Sequence, residues 1–190
     1  MLTLTEIIMQ TEANFDTIAY LQYGNDKQIQ VFNLLTRHLI LEQLSEFDPI
    51  VVGTIPIDID IESSDIDIIC YCNNSEHFAD RIATLFQKED GFKIWENNKI
   101  DPGATVATFT IKDFTVEIFG QDIPTRQQVA YRHMIIENRI LLEKGEEFRK
   151  RVIELKRQGL KTEPAFALLL ELVGDPYTEL LHLYEDINQN

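Results

Sequence analysis

Only two cysteines, Cys70 and Cys72, occur in the 190 residues, and they lie two apart within an apolar run. Same-face positions on one strand are poorly placed for a disulfide, and two cysteines alone make no metal site. Both are expected to pack in a core, in the reducing environment of the cytoplasm. No run of eighteen apolar residues is present, so no membrane-spanning helix is expected. The opening stretch MLTLTEIIMQTEANFD lacks a basic region and a small-residue cleavage site, so no secretory signal is expected either. Basic residues are scarce, 17 against 32 acids, which leaves a net charge of −15. Nucleic-acid surfaces work by neutralising many phosphates, so a long nucleic acid is the least expected partner. A small anionic ligand carried with a metal ion is compatible with this charge. Gly-x-Ser-x-Gly, Gly-x4-Gly-Lys-Ser/Thr and His-Glu-x-x-His motifs are all missing, which removes the commonest hydrolase, phosphate-loop and zinc-protease readings.

What is present suits one globular domain with a sizeable core: 44% hydrophobic and 9% aromatic residues. Phe15 to Leu21 reads as a short amphipathic helix stopping near Gly24. A longer helix is expected from a cap at Asp26 to about Leu44, with Ile29, Phe32, Leu35, Leu39 and Ile40 inward. Pro49 to Gly53 and Asp65 to Cys72 read as strands. Ser75 opens a helix that buries Phe78, Ile82, Leu85 and Phe86. Gly91 to Trp95 reads as a strand, Asp101-Pro102-Gly103 as a turn, and Ala104–Ile111 with Phe114–Phe119 as a hairpin. Beyond Pro124 the pattern is helical. The expected fold is α+β: a small mixed sheet with helices on one side and a helical C-terminal segment. Residues 1–123 would form the core and 124–190 the helical segment packed on it.

The stretch GTIPIDIDIESSDIDIICYC concentrates carboxylates in an otherwise apolar segment. Along Asp65 to Cys72, side chains alternate between faces. Ile66, Ile68, Cys70 and Cys72 share one face, which suits a core, while Asp65 and Asp67 share the other. Carboxylates held that close repel unless a positive charge lies between them. Mg²⁺ is the usual remedy, because it takes one or two carboxylates together with substrate phosphates. Phe114 to Phe119 is apolar except for Glu117, which would complete the site if its strand lies beside that of Asp65. Three carboxylates could hold two ions, which would clamp the attacking and leaving oxygens of a nucleotidyl transfer. Upstream, Gly53 lets the backbone approach a phosphate, and the Thr54 hydroxyl can donate to it. Asp58, Asp60 and Glu62 would repel a triphosphate unless they point away or bind cations.

Gly53-Thr54, then Ser64-Asp65-Ile66-Asp67-Ile68, then Val116-Glu117-Ile118 resembles the signature of the nucleotidyltransferase superfamily that includes DNA polymerase beta. Thr54 stands where serine is commoner. The resemblance implies that Asp65, Asp67 and Glu117 are catalytic and bind two Mg²⁺ ions. It implies that Gly53 and Thr54, with Ser64 beside them, hold the nucleotide phosphates. Further stretches, such as Ile118-Phe119-Gly120-Gln121 and Gln128 to Met134, are similar to a narrower group of small, uncharacterised bacterial proteins of that superfamily.

Basic residues that could meet the phosphates are Arg132, beside His133 on a helix beginning near Pro124, and Lys161. Lys161 and Thr162 precede a helix expected to start at Glu163 or Pro164, with Thr162 as its cap. His38, His77 and His182 are scattered and suggest no shared metal site. The expected activity is Mg²⁺-dependent transfer of a nucleoside monophosphate from a nucleoside triphosphate to an unknown acceptor hydroxyl. The acceptor is open between a small molecule such as an aminoglycoside, a protein side chain and an RNA end. The alternative is a catalytically inactive protein of the nucleotidyltransferase fold acting as a binding or regulatory partner.

Overall fold

The computed structural model describes residues 14–97 and 103–188, with side-chain surroundings through Leu183. Asp101 and Pro102 of the expected turn lie outside the described residues. Five strands form one sheet: β1 (Ile50–Val52), β2 (Ile66–Tyr71), β3 (Asp90–Asn97), β4 (Ala104–Ile111) and β5 (Phe114–Gln121). Their order is β1-β2-β5-β4-β3, antiparallel throughout except for the parallel β2–β5 pair. The helices are α1 (Asp26–Arg37), the short α2 (Ile40–Gln43), α3 (Ser75–Phe86), α4 (Val129–Lys144), α5 (Glu146–Arg157), α6 (Thr162–Leu169) and α7 (Pro176–Asn188).

Strand alternation divides the apolar residues between two cores. Ile66, Ile68, Cys70 and Cys72 join Val116, Ile118, Ala107 and Phe109 on one face, packed under α1 and α3. Ile50, Val52 and Ile69 belong to the other face, where Met134, Ile136, Phe166 and Leu180 of α4, α6 and α7 cover β1 and β2. Both cysteines are free and buried, as expected. Burial pushes both thiols up, Cys72 to about 11, so neither is a reactive thiolate at neutral pH.

Several local expectations are corrected. Asn25, not Asp26, caps α1: its side chain accepts from the Gln28 N–H while the Gln28 side chain accepts from the Asn25 N–H. The helix does not run on to Leu44, because Leu39 turns left-handed (φ 53°) and starts a separate turn. Ile29 (37% exposed) and Leu39 (53%) therefore face out, and Val31, Leu34 and Leu35 fill the core. The piece near Tyr20 is a 3-10 turn over Ala19–Tyr23. Lys161 precedes α6, which starts at Thr162, and no side chain caps it.

Gly120 sits near the C-terminal end of β5 under α3. A methyl group there would lie 2.6 Å from Cζ of Phe78, itself fully buried. Overpacking of this kind costs about 1–3 kcal/mol. Gly120→Ala is expected to lower the unfolding free energy by that amount, read as a lower denaturant midpoint at an unchanged slope of the transition.

Candidate functional site

The parallel β2–β5 register sets Asp67 directly beside Glu117. The neighbouring pairings extend this into one row across the sheet: Val52, Asp67, Glu117, Thr108 and Lys93. All five point to the face opposite α1 and α3. Gly53 follows Val52 with φ 83°, a conformation L side chains rarely adopt, and any Cβ there would collide with Oδ2 of Asp67. Only glycine lets the chain pass this close to the carboxylate.

Asp67 and Glu117 line a cavity of about 610 Å³, together with Gly53 and Thr54. Its far wall comes from α4 (Val129, Ala130, His133, Met134, Glu137), α6 (Thr162, Glu163) and α7 (Tyr177). The other sequence candidates stand outside this lining. Ser64 supports the rim: its Oγ lies 3.3 Å from Thr54 Oγ1 and accepts from the Ile61 N–H at 2.9 Å. Asp65 is exposed just before β2 and acts on Asp67 and Glu117 through its charge. Arg132 is half-buried on α4 and Lys161 is exposed ahead of α6; it is His133, not Arg132, that reaches the cavity.

The segment from Gly53 to Ser64 is held by cations and by a buried amide. Lys27 donates to the Ile61 carbonyl at 2.6 Å and pairs with Asp60 at 3.3 Å. Gln28 donates to the Ile55 carbonyl at 2.8 Å, and Lys156 to the Ile59 carbonyl at 2.7 Å. Arg149 bonds the carbonyls of Ile57 and Asp58, Asn25 bonds the Asp58 side chain, and Arg157 pairs with Glu62 at 2.8 Å. The acids of this segment therefore have partners of their own and are turned to them.

Burial raises the Asp67 pKa to about 7, helped by Glu117 and Asp65 and opposed by Lys156. Glu117 is raised for the same reasons, burial first and Asp65 second. Glu137 is raised well above the carboxylate range by complete burial and by Glu163. Lys156 is lowered to about 8, because burial outweighs the nearby acids. Burial is the largest influence on Glu163 and would raise it, but the His133 hydrogen bond, a backbone hydrogen bond and the nearby His133 and Lys161 together outweigh it and its pKa falls. His133 bridges two helices: Nε2 donates to the Tyr177 carbonyl at 2.9 Å and Nδ1 lies 3.5 Å from Glu163. Crowded, desolvated carboxylates of this kind favour either a proton or a cation. Their chemistry fits a hard divalent ion at Asp67 and Glu117, although no three His, Cys, Asp or Glu side chains among the described residues form a ready metal cage.

Sequence reading missed Glu137, Gln128 and Lys156. The first carried a signal: Ala130, His133, Met134 and Glu137 follow an i, i+3, i+4, i+7 stripe, and an acid on such a stripe is out of place unless it serves a cavity. Lys156 had none, since its partners come from distant segments.

Among solved structures the chain resembles the Cid1 poly(U) polymerase with MgGTP bound (TM-score 0.53, 15% identity, over 70% of this chain and 42% of that one). A second Cid1 structure, described through its RNA terminal uridylyl transferase activity, gives TM-score 0.52 at 14% identity over 70% and 41%. A mutant Cid1 bound to MgATP gives 0.50 at 13% over 70% and 42%. The chain thus spans about two fifths of the length of these proteins. At such identities the likeness establishes a nucleotidyltransferase-like fold. Residues 33–183 match the family described as "Domain of unknown function (DUF4269)", and the chain belongs to that family. No curated protein matches it. No helix among the described residues is long and apolar enough to cross a membrane.

Two measurements probe the site's electrostatics. The folded-state pKa of Asp67 lies above its unfolded value of 3.8. The folded state therefore holds the proton more tightly, and this contribution to stability is full below pH 4 and lost as pH rises towards 7. Asp67→Asn should then be more stable than the wild type at pH 8 in metal-free buffer, with the difference vanishing near pH 4. Thermal melts across that range decide it. Separately, Lys156→Met removes a buried charged donor from the Ile59 carbonyl. It should cost about 1.5–3 kcal/mol and speed hydrogen exchange between Gly53 and Ser64.

Proposed function

We propose that the protein is a Mg²⁺-dependent nucleotidyltransferase that moves a nucleoside monophosphate from a nucleoside triphosphate to an acceptor hydroxyl and releases pyrophosphate. The observation that carries this reading is the register that places Asp67 beside Glu117 against a glycine that cannot bear a side chain. Asp67 and Glu117 would hold Mg²⁺, with Asp65 at the rim to complete the ligand set. Bound there, the ion would neutralise the charge that develops on the transferred phosphoryl group. The Gly53 and Thr54 backbone, with the Thr54 hydroxyl backed by Ser64, would donate to the phosphates. Glu117 sits between Asp67 and Thr108 in the row, towards the open side of the sheet, where it could accept the proton of the attacking hydroxyl. Arg132 and Lys161 would serve only a phosphate that extends beyond the cavity. Structures of this fold with MgGTP and MgATP bound support the same ligand class here.

The chemistry can be followed by pyrophosphate release with each of the four nucleoside triphosphates, with and without Mg²⁺. Asp67→Asn and Glu117→Gln should each reduce turnover about a hundredfold or more while the proteins stay folded. Full activity in either variant would remove this assignment.

A second reading has specific observations in its favour. Among the described residues, neither Lys nor Arg lines the cavity and no three-acid cage is preformed. Both would suit an inactive nucleotidyltransferase-fold protein that acts by binding a protein partner. Nucleotide binding that ignores Mg²⁺, or is missing altogether, would favour it.

A further inference from the structure

Gln128 stands immediately before α4 and is 1% exposed. Its Nε2 donates to two carbonyls, Cys70 and Ile123, each at 2.9 Å. Carbonyl oxygens only accept, so both amide hydrogens are committed and the side chain cannot flip. Oε1 is therefore a fixed acceptor. It is buried and has no hydrogen-bond partner among the described residues, yet Gln128 lines the cavity. Oε1 of Glu137, whose residue is 4% exposed, is likewise buried and without a partner among the described residues. A buried polar atom left unpaired is destabilising, so two of them on one cavity call for a polar ligand, with a hydrogen-bond donor facing Gln128.

The rest of the lining narrows the class. Ile69, Phe119, Val129, Met134 and Tyr177 give apolar and aromatic walls. They suit a flat ring and poorly suit a polyhydroxylated sugar or a polyamine, whose polar groups would go unpaired. Cys70, which anchors Gln128, is three residues along β2 from Asp67, about 10 Å at the usual rise per residue. That is the reach from an α-phosphate across a ribose to the far edge of a base. Lys156 interacts with both Asp67 and Glu137, which puts Glu137 towards the phosphate end, where a ribose offers hydroxyl donors.

We propose that this cavity takes the base of the nucleotide and selects adenine and cytosine over uracil, with Oε1 of Gln128 accepting from the exocyclic amine and Glu137 facing the ribose. The direction in which the nucleotide lies rests on the nucleotidyltransferase reading. In uracil a carbonyl oxygen replaces that amine, and it would meet Gln128 acceptor to acceptor. Guanine has the same difficulty at its 6-position.

The test uses the full chain and calorimetry with Mg²⁺ and ATP, CTP, GTP or UTP. ATP and CTP should bind about tenfold or more tighter than UTP, the discrimination expected of a buried hydrogen bond made to one ligand and missing in the other. Purine riboside triphosphate, which is ATP without its amine, should lose the same factor, and this arm needs no protein variant. Gln128→Met, checked for folding by circular dichroism, should bring ATP and UTP within about twofold of each other. Equal binding of ATP, UTP and the deaminated analogue would overturn the proposal. Ligand-observed NMR with adenosine, cytidine and uridine in metal-free buffer separates it from the catalytic reading. Selective saturation of adenosine and cytidine without any Mg²⁺-dependent turnover would keep the base site and remove the activity. Turnover that is indifferent to the base would do the reverse.

Discussion

Two carboxylates lie side by side because two strands run parallel, and the rest of the site follows from that pairing. Asp67 and Glu117 are separated by one strand spacing, about 4.8 Å, in a partly desolvated setting that favours neither charge. The opposite face of the same strands stabilises what this face opposes. Ile66, Ile68 and Cys70 of β2 and Val116 and Ile118 of β5 are buried under α1 and α3. A slip of one residue would turn those side chains out and drive the acids into that core. The hydrophobic face therefore fixes the register, and the register holds the acids together against their repulsion. Lys156 relieves part of the cost, and a proton or a cation relieves the rest.

The same logic organises the segment that leads to the strand. Between Gly53 and Ser64 the chain has no regular structure of its own, and its carbonyls need donors. α1 supplies Lys27 and Gln28, and α5 supplies Arg149 and Lys156. The exposed pairs, such as Arg157 with Glu62, contribute little energy by themselves. The anchoring comes from buried donors on backbone oxygens, and the surplus acids direct the cations towards this segment. Gly53 and Thr54 are thereby held at the cavity rim by donors from two separate helices.

Much of this was legible in the chain. The alternation from Asp65 to Cys72 states which face is core and which carries charge, and the lone acid in Phe114–Phe119 points to a neighbouring strand. Both depend on local periodicity, which sequence reports well. The length of α1 was not legible, because the left-handed turn at Leu39 interrupts a stripe that would suit a continuous helix. Nor was the cavity wall. Which of Arg132 and His133 faces inward depends on how α4 is rotated, and the packing of Met134, Ile136 and Ile140 decides it. Gln128 reads as an ordinary polar residue until Cys70 and Ile123 are seen to use both of its donors.

The wall opposite the sheet is built from three helices joined through one imidazole. His133 gives Nε2–H to the backbone of α7, which leaves Nδ1 facing the Glu163 carboxylate of α6. That contact helps to hold the Glu163 carboxylate below its usual range, against the burial that would raise it. Glu137, one turn further along α4, is desolvated beside the same group. The wall thus sets one acid raised by burial, Glu137, beside another, Glu163, that its partners keep low. Its shape and its charge are one property: a group that separates His133 from Glu163 also loosens α4, α6 and α7 from one another.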